Sequence, residues 1–152
     1  FIFLLACIGA LFNKKMRSGL TGRFQTIDIL KNASKNWDNK QSVYWFHAAS
    51  HGEFEQVRPV LKGLKEIDKE CYVVASFFSP SGYKNVDDKN IDCKIYLPFD
   101  FIWSIRRTLK IIKPKKIIFA FTKLIKNGNI RIYPPRTFVY ARLCDVDFTK
   151  PF

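Results

Sequence analysis

Between residues 43 and 121 the chain alternates between two hydrophobic rhythms. Four short apolar runs, VYWFH at 43–47, CYVVASFF at 71–78, KIYL at 94–97 and IIFAF at 117–121, are rich in β-formers and read as buried strands. After the first run, Phe54, Val57, Leu61 and Leu64 recur at steps of three and four, which predicts a helix over about 53–67. Pro59 falls inside that span and predicts a kink or a later start. SPSGY at 79–83 breaks the second run, and a short, weaker helix is expected to follow to about 88. Ile102, Ile105, Leu109 and Ile112 make a clear amphipathic helix, closed by Lys113 and Pro114. Strands that alternate with helices, each strand an apolar run, predict an α/β fold: a Rossmann-like parallel sheet with helices on both faces and right-handed crossovers. Such a pattern carries no strand order.

The flanks behave differently. The chain opens FIFLLACIGALF, twelve residues without a charge. That is shorter than the roughly 20 residues a membrane-spanning helix needs. A basic region before it and a cleavage site after it, the marks of a signal peptide, are both absent. Residues 1–12 therefore read as part of a membrane anchor, with a buried helix as the alternative. Lys14, Lys15, Arg17 and Arg23 favour the anchor, because positive residues beside an apolar segment sit on the cytoplasmic side and attract anionic lipid. Residues 13–41, polar and punctuated by Gly19 and Gly22, read as a basic, loop-like connecting segment. The domain proper is expected at 42–121. Residues 122–152 carry a turn-like NGN, a double Pro and no sustained period, where a doubly wound domain would continue with another helix.

Composition narrows the class. With 152 residues, 47% hydrophobic and 16% aromatic, the chain suits one domain with a substantial core. The net charge of +13 favours anionic partners: nucleic acid, phosphorylated ligands or an anionic membrane surface. Cys7, Cys71, Cys93 and Cys144 are scattered, with no CxxC and no Cys/His pair at metal spacing. That argues against a disulfide framework or a structural zinc site and for free thiols in a reducing compartment.

Chemistry concentrates in FHAASHGEFEQ at 46–56. A loop leaving the carboxyl end of a parallel strand is the usual ligand position in open α/β sheets. Gly52 would let the backbone approach a ligand, and the following helix would point its free N–H groups at it. Glu53 there is either a general base, within reach of a substrate hydroxyl, or a cap in the helix's first turn, as is Ser50. His47 at the strand end is more typical of a satisfied core residue, and His51 suits a solvated turn as well as a functional one. Glu55, Gln56 and Arg58 read as an exposed helix face. Ser79, Ser81 and the backbone at Gly82 are placed either to bind phosphate or sugar hydroxyls or to form an ordinary turn with an N-cap. GxGxxG, Walker A and GxSxG patterns are absent.

FHAASHGEFEQVRP, then SFFSPSGY, then YLPFD, preceded by an apolar segment, a basic turn and GLTGR at 19–23, resembles the N-terminal domain of the 3-deoxy-D-manno-octulosonic acid (Kdo) transferases over about residues 1–120. The resemblance implies the N-terminal half of a GT-B glycosyltransferase, anchored at the cytoplasmic face of the inner membrane. It implies transfer of Kdo from CMP-Kdo to a hydroxyl of the tetraacylated lipid A precursor by direct displacement, with no metal and no cofactor. The family's GE motif makes Glu53 the catalytic base, and Arg23, Ser50, Gly52, Ser79, Ser81 and Gly82 match the acceptor side of its cleft. Lys14, Lys15, Arg17 and Arg23 would then meet the acceptor phosphates and the anionic membrane. Two departures stand out. His51 replaces a residue that is usually small or aliphatic. After the fourth strand the family continues with an acidic residue and a Trp-Pro-Asn-like segment, whereas this chain runs IIFAFTKLIKNGNIRIYPP. A truncation or frameshift near residue 120 would explain this, and would leave a 152-residue chain inactive without its donor domain. The rival reading is a non-catalytic basic module binding a membrane surface or nucleic acid. Against nucleic acid, no helix-turn-helix or RNP-like signature is present.

Overall fold

The computed structural model describes residues 14–38, 41–120 and 139–140. Nine elements follow in chain order: α1 (Lys14–Ser34), β1 (Val43–Ala48), α2 (His51–Ile67), β2 (Tyr72–Phe77), α3 (Pro80–Asn85), β3 (Cys93–Tyr96), α4 (Ile102–Ile112), β4 (Lys116–Ala120) and β5 (Val139–Tyr140). The sheet order is β3-β2-β1-β4-β5. The first four strands run parallel, as the apolar runs predict, and β5 joins β4 antiparallel. The expected partial anchor at 1–12 lies outside the described residues, as does the tail at 122–152 apart from β5.

Side chains of β1 alternate between two cores. Tyr44, Phe46 and Ala48 point to one face, packed with Phe54, Val57 and Leu61 of α2 and with Val86 after α3. Val43 and Trp45 point to the other, packed with Leu30 of α1 and Ile112 of α4. The sheet is thus covered on both faces. The chain moves outward from β1 through β2 to β3, then crosses back by α4 on the opposite face to place β4 against the other edge of β1. The order reverses between β1 and β4, and ligands bind at such reversals in open α/β sheets, beyond the carboxyl ends of the strands. The turn at Ala49–Ser50, which leads into the first turn of α2 and Glu53, leaves β1 at that point.

The loop-like reading of 13–41 is corrected: Lys14–Ser34 is a helix of 21 residues. Its buried positions are Gly19, Gly22, Thr26 and Leu30, spaced three, four and four apart. A seam of small and polar residues gives almost no hydrophobic period, so the helix is hidden in sequence. Close packing offsets the roughly 1 kcal/mol that each Gly costs inside a helix. A Cβ on Gly22 would stand 2.2 Å from the Tyr96 ring, so only Gly permits this approach. Thr26 Oγ1 donates to the carbonyl of Tyr96 (3.0 Å) or to that of Gly22 (3.2 Å). The segment is therefore packed into the domain, and does more than connect to it.

Pro59 neither delays nor ends α2, which runs unbroken from His51 to Ile67. Pro59 is exposed, so the carbonyl it leaves without a helical donor belongs to the outer side of the helix, where water reaches it. Lys113, in the left-handed conformation (φ 43°), ends α4 immediately before Pro114.

Candidate active site

β1 delivers the chain to Ala49 and Ser50, and α2 begins at His51. Ser50 is the N-cap, in extended conformation, and its Oγ accepts from Glu53 N at 3.4 Å. Glu53 returns the contact: its Oε2 accepts from Ala49 N at 2.6 Å. Ser-His-Gly-Glu is thus a capping box, shifted by one residue on the return bond. Among the described residues, Glu53 Oε1 has no hydrogen-bond partner. One carboxylate oxygen fixes the side chain to the backbone, and the other stays open at a half-buried position. The cap and base readings of Glu53 are geometrically compatible.

Under this turn lies a polar network missed in sequence. Trp45 Nε1 donates to Ser76 Oγ at 2.8 Å, and His47 Nδ1 lies 3.0 Å from the same oxygen and 3.1 Å from the Ser76 carbonyl. A bond to that carbonyl requires the proton on Nδ1, which leaves Nε2 as an acceptor. The His47 ring stands edge-on to Phe119 of β4, with centroids 5.8 Å apart. Burial lowers the His47 pKa, partly countered by its bond to Ser76 and by the Glu53 charge. His47 is the satisfied, half-buried histidine that its strand-end position suggested. Its pairing needed Ser76 from the neighbouring strand, which only the register Phe46↔Ala75, His47↔Ser76 brings alongside.

The loop after β2 is fastened to this turn. Ser79 N donates to the Ala49 carbonyl at 2.9 Å. Ser79 caps α3, with its Oγ accepting from Gly82 N at 3.2 Å and lying 3.0 Å from Ser81 Oγ. Gly82 is buried against the Ser50–His51 backbone. A Cβ there would stand 2.7 Å from the Phe77 ring and 3.2 Å from the carbonyl carbon of Ser50. Arg23 arrives from α1, with its guanidinium 4.3 Å from the centre of the Phe78 ring and Nη2 donating to the Phe78 carbonyl at 3.4 Å. Its Nε is buried without a partner, and burial lowers its pKa.

The fold thus gathers Ser50, Glu53, Ser79, Ser81, Gly82 and Arg23 at the carboxyl ends of β1 and β2. Gly52 differs. It is exposed, has no positive φ, and a Cβ on it would meet nothing within 4 Å. His51 makes an exposed pair with Glu55 at 3.1 Å. Arg58, expected to be solvated, instead ties α2 to Asp88 at 3.0 Å, and the Asp88 side chain is only 5% exposed.

A sequence model of the family described as 3-deoxy-D-manno-octulosonic-acid transferase (Kdo transferase) matches residues 19–125. The chain belongs to the Kdo transferase family. The match opens at the first Gly of GLTGR and takes in Arg23, both loops and the whole parallel sheet. It ends five residues after β4, close to where the resemblance was expected to stop. The chain is also 35% identical over 82 residues to the 3-deoxy-D-manno-octulosonic acid transferase of Aquifex aeolicus (strain VF5), an alignment covering 53% of this chain and 22% of that protein. The chain therefore spans about a fifth of that Kdo transferase's length, and Lys14, Lys15 and Arg17 precede the family match.

Proposed function

We propose that this chain is the acceptor-binding half of a Kdo transferase of GT-B architecture, which moves Kdo from CMP-Kdo to a hydroxyl of a lipid A precursor with Glu53 as general base. The observation that carries this reading is the divided Glu53 carboxylate: Oε2 held at 2.6 Å by Ala49 N, and Oε1 open at the strand reversal. Oε1 accepts the proton of the acceptor hydroxyl. The hydroxyl oxygen forms its bond to the anomeric carbon of Kdo as the bond from that carbon to the CMP phosphate oxygen breaks, and CMP leaves with the electron pair. The chain's own part is positioning and proton removal. Ser79, Ser81 and Arg23 border the position a hydroxyl-rich acceptor would take, and Gly82 lets the two loops close on each other. The 152 residues alone are expected to transfer nothing, because CMP-Kdo belongs to a second domain in this architecture.

The surroundings support an acceptor taken from a membrane face, consistent with a place on the cytoplasmic side of the inner membrane. Phe24 packs at a tilt against Phe99, Phe99 stacks on Phe101, and Phe101 stacks on Trp103, with centroids 4.8, 5.9 and 4.8 Å apart. Phe24 and Trp103 are 64% and 68% exposed. An aromatic ridge beside a basic helix suits a lipid interface. Among the described residues no helix is long and apolar enough to cross a membrane.

The test is transfer of radiolabelled Kdo from CMP-Kdo to a tetraacylated lipid A precursor, by this domain joined to the donor half of a family member. Transfer by the joined protein, abolished by Glu53→Ala, is the expected result. Full activity without Glu53 would remove the base assignment.

A further inference from the structure

Ser76 satisfies only one nitrogen of His47. Nδ1 lies 3.1 Å from the Ser76 carbonyl and 3.0 Å from Ser76 Oγ. That Oγ, fully buried, accepts from Trp45 Nε1 at 2.8 Å and can place its own proton on the Phe46 carbonyl, 3.4 Å away. The proton of the neutral ring is thus pinned to Nδ1 and the lone pair to Nε2. Among the described residues Nε2 has no hydrogen-bond partner. Burial favours the neutral ring, so the lone pair stays available.

The ring is also placed for a ligand. Val43, Trp45 and His47 share one face of β1. α1 and α4 cover the first two, whereas His47, at the carboxyl end of the strand, is only half-buried. In register it stands between Ser76 of β2 and Phe119 of β4, at the reversal in strand order where ligands bind in open α/β sheets. Glu53 reaches the same strand end from α2, which packs on the opposite face.

We propose that His47 Nε2 accepts a hydrogen bond from a substrate sugar hydroxyl at the β1–β4 reversal and so orients that sugar. This role rests on the Kdo transferase reading above. A neutral imidazole lone pair takes a hydroxyl proton but has nothing to offer an unprotonated phosphate or carboxylate, so His47 selects a hydroxyl where a lysine would select an anion. It moves no proton, since the attacking hydroxyl gives its proton to Glu53. The bound hydroxyl belongs either to the acceptor sugar or to the Kdo being transferred.

Two variants share little beyond the loss of Nε2. His47→Asn keeps an amide N–H near the Nδ1 position for the Ser76 carbonyl but is too short to place an acceptor where Nε2 lies. His47→Phe keeps a ring against Phe119 but has no nitrogen. In the domain joined to a donor half, both should lower kcat/KM about three- to tenfold, through KM for one substrate. A rise for the tetraacylated lipid A precursor assigns the acceptor hydroxyl, and a rise for CMP-Kdo assigns the Kdo hydroxyl. Nitrogen-15 spectra of the histidine-labelled joined protein at about pH 8 should show His47 protonated on Nδ1, with the Nε2 resonance moving as that same substrate is added. A proton on Nε2, an unmoved Nε2 resonance with both substrates, or a loss of kcat/KM confined to His47→Phe overturns the proposal, the last because it follows the Ser76 bond. A joined protein that transfers nothing counts against the transfer reading, while the Nε2 resonance still decides the role of His47.

Discussion

Glu53 Oε2 accepts a hydrogen bond from Ala49 N at 2.6 Å, across the turn that joins β1 to α2. This bond fixes the carboxylate, and among the described residues it leaves Oε1 unbonded for the proton transfer we propose. Under that proposal one side chain serves two purposes, because each oxygen has its own.

The two purposes come apart by substitution. Glu53→Gln keeps an acceptor oxygen for Ala49 N but removes the basic carboxylate. We expect unfolding stability to stay within about 0.5 kcal/mol of the parent while transfer by the joined enzyme falls about 10²–10⁴-fold. Ser50→Ala does the reverse: it costs about 1 kcal/mol of stability by removing the cap, with a much smaller loss of turnover. Urea unfolding and Kdo transfer, measured on both variants, check this. A Gln variant that transfers at the parent rate would leave Glu53 as a cap alone.

The glycines in the first turns of α2 and α3 should respond in opposite ways. Gly82→Ala would drive a methyl to 2.7 Å from the Phe77 ring and 3.2 Å from the Ser50 backbone, so the loops must separate. A loss of about 1–3 kcal/mol is expected, as for other overpacked sites. Gly52→Ala adds a methyl in open space within a helix and should gain up to about 1 kcal/mol. If Gly52→Ala also lowers transfer in the joined enzyme, the backbone there is approached by substrate. If both variants melt at one temperature, the close packing around Gly82 is wrong.

Cys93 faces the core between β3 and α1, and burial pushes its thiol up to about 11. The folded chain therefore keeps this thiol protonated where an unfolded thiol, near 8.5, would ionise. Its folded pKa is raised, so the stability it contributes is complete below about 8.5 and is lost as pH rises toward 11. Iodoacetamide at pH 8, followed by site-resolved mass spectrometry, should label Cys93 only on unfolding. Rapid labelling of the native chain would mean that this face opens.

Much of the fold was legible because its strands are uninterrupted apolar runs and α2 and α4 carry strong periods. α1 was not, since Gly19, Gly22 and Thr26 pack by smallness and hydrogen bonding, to which a hydrophobic pattern is blind. Strand order was hidden because β2 and β4 are chemically alike, and only the β1–β4 pairing shows that Glu53 sits at a reversal. Within the site, Ser-x-x-Glu announced the cap locally, whereas the base reading needed the family resemblance. Around Gly82 the sequence allows either a ligand-binding backbone or an ordinary turn, and the structure shows a packing reason for the glycine. The His47–Ser76 and Arg58–Asp88 pairs join residues about thirty apart in sequence, and no local pattern reports such contacts.

His47 links stability to the site. Burial lowers its folded pKa below the ordinary 6.5, so the native state prefers the neutral ring. Just below pH 6.5 the unfolded chain binds more protons than the folded one, and stability therefore falls as pH falls. The contribution is complete above about 6.5 and declines until the folded ring itself protonates. His47→Gln, which retains a donor for the Ser76 carbonyl, should remove this part of the pH dependence. Urea midpoints at about pH 7.5, 6.5 and 5.5 should show the parent losing ground to the variant as acid is added. Because the Glu53 charge supports the protonated ring, Glu53→Gln should lower the His47 pKa further, read from the ring proton shifts by NMR. Parallel pH curves for parent and His47→Gln, together with an unmoved His47 titration in Glu53→Gln, would show that the two side chains do not share a field.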